Sequence, residues 1–205
     1  MNTMSLIKPR TVSDNELYLF TSAFRKSGID GNDIKNAFIE KNSVASFDRY
    51  PADLLIDYII KRHHIFAKKN TAVIYNLLQK VTYRHNELKK FSEVAFFFFH
   101  DLLNQMAKEE KEFFPSIIQT AKEIEKDAEK NNSVLKSLTE KIKWEHTKSF
   151  SYLNDFKEMT NNYQTPSHVC LYYITLFEKM QELEHDLKLH FQLEDDILFD
   201  KIIYH

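Results

Sequence analysis

The sequence predicts an all-α protein built as a four-helix bundle. Only two glycines and four prolines occur among 205 residues, so turn-forming residues are scarce. Apolar residues recur at spacings of three and four along four long segments, which is the period of an amphipathic helix. Short polar stretches separate these segments. Four long amphipathic helices with short connections most simply make an up-down-up-down bundle.

Two regions are predicted. Residues 1–50 form a small N-terminal helical segment, with short helices expected near residues 16–26 and 33–41 on either side of the glycine-containing stretch SGIDGND. Residues 51–205 form the bundle. Pro51 stands where a proline is best tolerated, in the first turn of the first bundle helix.

Each bundle helix is predicted from one apolar stripe. The stripes run from residue 56 to 81, from 98 to 117, from 135 to 156 and from 176 to 202. Pro115 falls late in the second stripe and is expected to kink that helix without ending it. The polar segment 126–133 is expected to be a connection, the loop 160–167 to end the third helix, and the fourth helix to start near Pro166.

Composition excludes several classes of function. The net charge is -2, from 28 basic and 30 acidic side chains spread along the chain, so neither nucleic acid nor a membrane surface is an expected partner. No apolar run approaches the ~20 residues needed to span a bilayer, and the N-terminus does not resemble a secretory signal. Cys170 is the single cysteine, which predicts a cytoplasmic protein whose metal ligands, if any, come from histidine and carboxylate side chains.

Ligand-type side chains interrupt the apolar stripe of every bundle helix. Taken alone, each is more often a hydrogen-bonded core histidine or a carboxylate at the rim of a bundle. Together they are informative, because a buried unpaired carboxylate costs several kcal/mol and a bound metal offsets that cost. Residues four apart on a helix differ by about 40° in direction, so a four-residue step places two side chains on one face. The interrupting residues are His64, Glu109, His146, His190 and Glu194, with Gln105 four residues before Glu109.

Five segments carry a resemblance to a known family: DYIIKRHH (57–64), KVTYRH (80–85), MAKEEKEFFPSI (106–117), WEH (144–146) and HFQLEDDILF (190–199). The pattern resembles the hemerythrin-like (HHE) di-iron bundles, and most closely the bacterial di-iron proteins that repair iron-sulfur centres. The resemblance implies two irons, two bridging glutamates and six ligand positions: His64, Gln105, Glu109, His146, His190 and Glu194.

The chain departs from this family at two places. The resemblance implies a histidine where Gln105 stands, and a neutral amide is a weaker iron ligand than an imidazole, so the second iron is expected to be weakly bound. His63 lies about 100° away from the stripe, which favours His64 as the ligand and leaves its neighbour His63 as the alternative. The two adjacent cysteines that the repair family often carries near its N-terminus are also missing.

Three functions remain open at this point. The first is a di-iron protein of the iron-sulfur cluster repair and stress-response type, which would meet dioxygen, nitric oxide or peroxide and damaged iron-sulfur proteins. The second is a hemerythrin-like sensor or reversible carrier of a diatomic ligand or of iron. The third is a degenerate bundle without metal, and the protein could be a monomer or a dimer in each case.

Overall fold

The computed structural model of the protein describes residues 47, 50–122 and 128–204. The helices expected before residue 42 lie outside these residues. Within the described part of the chain every regular element is helical, and four long helices pack as a bundle. The predicted fold class is confirmed.

The first two bundle helices each contain a π-helical segment. Helix α1 (residues 52–82) consists of Ala52–Tyr58, the π-helical Ile59–His64, and Ile65–Thr82. A 3-10 turn at Asn86–Leu88 leads into α2 (residues 89–122). Helix α2 consists of Lys89–Lys108, the π-helical Glu109–Phe113, and Phe114–Lys122. Pro115 lies just after the π segment. Because proline lacks an N–H group, a regular α-helix could not satisfy the carbonyl four residues earlier.

The third helix is uninterrupted and the fourth is not. Helix α3 is Ala128–Met159. Helix α4 (residues 171–204) consists of Leu171–Gln192, the π-helical Leu193–Leu198, and Phe199–Tyr204. Three of the four bundle helices therefore contain a turn with one residue more than an α-helical turn.

The helices pack in a closed cycle. Helix α1 packs against α4 and α2, and α3 packs against α2 and α4. Near the start of α1, His64 meets His190 near the end of α4, whereas His85, just past the end of α1, packs against Tyr173 at the start of α4. Neighbouring helices are thus antiparallel, as the short connections predicted.

Two predicted boundaries are wrong. Helix α3 begins at Ala128, so most of the segment 126–133 is helix and not a connection. Alanine, glutamate and lysine at its start are strong helix formers, which explains the difference. Helix α4 begins at Leu171 and not near Pro166, because His168 adopts a left-handed φ of 65° and Cys170 is extended.

The main apolar core fills the half of the bundle that includes the connection between α3 and α4. Phe91, Phe98 and Phe156 pack edge to face there, and Leu176 and Met180 of α4 are fully buried beside them. A smaller apolar layer at the other end includes Phe113, Phe114, Leu198 and Phe199. The predicted polar residues lie between these two layers. None of the described helices is both long enough and apolar enough to cross a membrane.

Candidate metal centre

All six predicted site residues are buried between the two apolar layers. His64, Glu109, His190 and Glu194 are 0% exposed, His146 is 1% exposed and Gln105 is 4% exposed. Each helix of the bundle contributes at least one of them. The structure therefore brings together the whole predicted set.

Four of these side chains converge on one position. His64 Nε2 lies 3.1 Å from His190 Nε2 and 3.3 Å from Glu109 Oε2. Glu194 Oε1 lies 3.0 Å from His190 Nε2. One nitrogen or oxygen atom from each of the four residues lies within 4.8 Å of the others, a grouping that could hold a metal ion. We call this grouping the first position.

The other two predicted residues lie beside the far oxygens of the same glutamates. His146 Nε2 is 3.1 Å from Glu194 Oε2 and 3.8 Å from Glu109 Oε1. Gln105 donates a hydrogen bond of 2.8 Å from Nε2 to Glu109 Oε1. We call the space among these atoms the second position, and the two glutamates separate it from the first.

Hydrogen bonds outside the cluster orient two of the histidines. His64 Nδ1 donates to Glu110 Oε1 at 2.7 Å, and His146 Nδ1 donates to Asp195 Oδ1 at 2.9 Å. Because a carboxylate only accepts, the proton of each neutral ring must be on Nδ1, and the lone pair of Nε2 is directed inward. Metal-ligating histidines in proteins are commonly held in this way.

Several buried polar atoms of the cluster have no hydrogen-bond partner among the described residues. They are Glu109 Oε2, Glu194 Oε2, His146 Nε2 and His190 Nδ1. His146 Nε2 and Glu194 Oε2 are close, but they do not have the alignment of a hydrogen bond. The Nε2 lone pair of neutral His64 also faces the ring nitrogen of His190. Three of the unpartnered atoms, Glu109 Oε2, Glu194 Oε2 and His146 Nε2, face the cluster, and a cation there would satisfy their lone pairs.

The electrostatic field at the site favours positive charge. Burial lowers the pKa of His64, but the nearby Glu109 and Glu194 raise it more, to about 10. Burial raises the pKa of Glu194, but the surrounding histidines have the larger effect and lower it to well below its usual value. When no cation is bound, the cluster therefore favours the protonated forms of His64 and His146, and a metal ion would have to displace those protons.

The π-helical segments are the part of the site that sequence periodicity missed. They contain His64, Glu109 and Glu194, and π-bulges are frequent at functional sites. His63, which periodicity sets about 100° off the stripe, is buried together with His64 in the first of these segments. The ring of His63 stacks on that of His190 with centroids 5.5 Å apart, and its Nδ1 bonds to Asp186.

The two carboxylates that orient the histidines were also missed, although a sequence signal exists for them. Glu110 directly follows Glu109, and Asp195 directly follows Glu194. In each acidic pair the first residue points into the cluster and the second holds a histidine of the preceding bundle helix. Two adjacent acids on an apolar stripe are therefore a sequence signal for one carboxylate that faces the cluster and a second that orients a histidine.

The comparisons with known proteins agree with this geometry. Residues 55–202 match the sequence profile of the hemerythrin HHE cation binding domain. The iron-sulfur cluster repair protein ScdA of Staphylococcus haemolyticus is 25% identical in an alignment of 213 positions, gaps included, that covers 91% of this chain and 93% of that protein. The iron-sulfur cluster repair protein DnrN of Neisseria gonorrhoeae is 30% identical over 156 residues, which cover 75% of this chain and 92% of that protein. The iron-sulfur cluster repair protein YtfE of Escherichia coli is 27% identical over 157 residues, which cover 75% of this chain and 67% of that protein.

Proposed function

The chain belongs to the hemerythrin HHE cation binding domain family, and on that premise we propose that it is a non-haem iron protein of the iron-sulfur cluster repair type. The observation that carries the proposal is the buried set of two glutamates and three histidines with inward, unpartnered donor atoms. The related proteins named above, which are called iron-sulfur cluster repair proteins, give the direction of the function.

The donor set suits iron. Imidazole nitrogens and carboxylate oxygens without thiolates are ligands for iron, manganese or zinc, and the soft-metal sites that need cysteine are excluded by this set. His64, Glu109, His190 and Glu194 would hold a cation at the first position, and His146 would face the second. Bound iron would supply a change of oxidation state and a place where nitric oxide or dioxygen can attach.

The surrounding aromatic rings keep bulk water away from the cluster. Phe191 stacks on His146 with ring centroids 4.1 Å apart, and Phe114 stacks on His64 at 5.7 Å. Both rings are buried. They restrict direct approach to small molecules, so a damaged protein would have to receive iron through its release from the bundle and not by contact with the cluster. In this function iron is both the bound metal and the cargo.

The same enclosure supports a second candidate function. A centre whose ligand residues are between 0% and 4% exposed could act as a sensor or reversible carrier of a diatomic molecule without any turnover. A bundle that has lost its metal is disfavoured, because two fully buried carboxylates would then be retained without a cation.

Metal analysis of anaerobically purified protein tests the proposal. We expect stoichiometric iron in the wild-type chain, loss of iron in Glu194→Gln, and unchanged iron in Glu178→Gln, which alters an exposed glutamate of the same helix. We also expect the iron-loaded protein, and not Glu194→Gln, to restore the activity of an enzyme whose [4Fe–4S] cluster has been damaged by nitric oxide. Reversible nitric oxide binding without any restoration would support the sensor or carrier. Wild-type protein without stoichiometric metal would refute both functions.

A further inference from the structure

We propose that the metal centre is asymmetric: the first position holds one resident cation, and the second position is an exchangeable site from which a second cation leaves. This inference rests on the proposed function, because it specifies how the iron of that function is held. Its basis is the arrangement of Gln105, Glu109 and His146, which differs from that of the residues around the first position.

The residues of the centre repeat with an approximate two-fold relation. Helix α1 contributes one histidine, and α2 contributes residue 105 followed four residues later by two adjacent acids. Helix α3 likewise contributes one histidine, and α4 contributes residue 190 followed four residues later by two adjacent acids. His64 thus corresponds to His146, and Gln105 corresponds to His190. The first position contains His64 and His190. The two-fold relation therefore places their counterparts, His146 and the amide of Gln105, at the second position.

The amide of Gln105 already has a partner in this arrangement. Its Nε2 donates to Glu109 Oε1, the glutamate oxygen that faces the second position. A cation there would have to compete with this hydrogen bond for the carboxylate oxygen. The neutral amide offers only a weak carbonyl ligand in return, whereas an imidazole would offer a lone pair.

At the first position no group outside the proposed ligands bonds to a glutamate oxygen among the described residues. Glu109 Oε2, 3.3 Å from His64 Nε2, has no hydrogen-bond partner, and Glu194 Oε1 pairs at 3.0 Å with Nε2 of His190, which is itself one of the proposed ligands. Two imidazoles and two carboxylates can therefore all turn to one cation. At the second position only His146 contributes an imidazole. Both glutamates face both positions, so the difference is one ligand, an imidazole at the first position against an amide at the second, and this makes the second cation the one that exchanges.

A count of retained cations in the full-length protein tests the asymmetry. Apoprotein is loaded anaerobically with excess Fe²⁺, passed through a column containing a competing chelator, and analysed for metal. We expect about one retained equivalent for wild type. Gln105→His should retain about two, because the new imidazole should raise the metal affinity of the second position by roughly tenfold or more. Changing a residue that only orients a metal ligand already alters affinity by roughly that factor, and a direct ligand should do at least as much. The control Gln79→His makes the same change at an exposed position of α1 and should retain one.

A second pair of variants tests the proposal if Gln105→His fails to fold. His146→Gln should keep the retained equivalent, whereas His190→Gln should lose it, since only His190 belongs to the first position. Two equally retained equivalents in wild type, or loss of the retained equivalent in His146→Gln, would overturn the asymmetry and leave the proposed function intact. No retained metal in wild type would overturn the proposed function as well.

Discussion

Binding of a cation should raise the stability of the bundle, and this effect should depend on Glu194. The carboxylate of Glu194 is 0% exposed, and its two oxygens lie 3.0 Å from His190 Nε2 and 3.1 Å from His146 Nε2. It therefore faces both positions. Glu194→Gln keeps the size of the side chain and removes its charge, so the variant should lose cation affinity without creating a cavity.

The magnitude follows from linkage. A ligand present at one hundred times its dissociation constant stabilises the folded state by about 2.7 kcal/mol, provided that it does not bind the unfolded chain. For a domain of about 150 residues, each kcal/mol shifts the melting temperature by roughly 2–4 °C. The expected shift on adding Fe²⁺ is therefore about 5–11 °C for wild type and near zero for Glu194→Gln.

Thermal unfolding followed by circular dichroism at the helix band measures this shift. Each protein is melted anaerobically with chelator and with excess Fe²⁺, and Glu178→Gln serves as the matched control. The control should show the wild-type shift. An equal shift in Glu194→Gln would refute the reasoning, because the stabilising cation would then be bound elsewhere.

Three further predictions concern the second position, the main apolar core and the ion pair of one buried glutamate. Asp195→Asn should weaken metal binding at the second position by roughly 10- to 100-fold, measured by chelator competition, because His146 loses its orienting carboxylate. Phe156→Ala should lower the free energy of unfolding in denaturant by about 3–5 kcal/mol, because the fully buried ring leaves a cavity in the main core. Burial raises the pKa of Glu184, but hydrogen bonds from Lys157 and Lys188 lower it by more, so that the pKa lies below its usual value. Its contribution to stability is therefore present above the unfolded pKa of 4.5 and lost as the pH falls below it, so Glu184→Gln should flatten the loss of stability in acid.

Periodicity predicted the bundle and the inward direction of the six residues that the structure brings together, whereas the family resemblance identified Gln105 as a ligand position. It succeeded because the core of a helical bundle imposes a spacing of three and four, and polar residues that keep this spacing must face inward. Its errors occurred where local conditions compete with the pattern. The start of α4 depends on the left-handed conformation at His168, and a non-glycine residue there is not a recognisable stop signal.

The burial of His63 is a second place where uniform periodicity falls short. The prediction assumed 100° per residue, which sets His63 off the stripe that contains His64. Both rings are buried, and both residues lie in a π-helical segment that departs from this period. Nothing in a single sequence marks such a turn, since its cost is offset by contacts that form only after folding. The second acids were missed for a different reason, because the stripe identifies which residues face the core and not which neighbour supports them.

The acidic pairs also explain how one altered ligand position leaves the bundle intact. In each pair the first acid enters the cluster and the second holds a histidine of the preceding helix, so each helix pair fixes its own ligands. In the proposed centre Gln105 belongs to the second position, and its amide donates a hydrogen bond to the oxygen of Glu109 that faces this position. An apolar residue at 105 would instead leave that buried oxygen without its donor, at a cost of about 1–3 kcal/mol. For the centre proposed above, a glutamine at 105 is therefore expected to lower affinity at the second position while keeping the carboxylate that the first position needs.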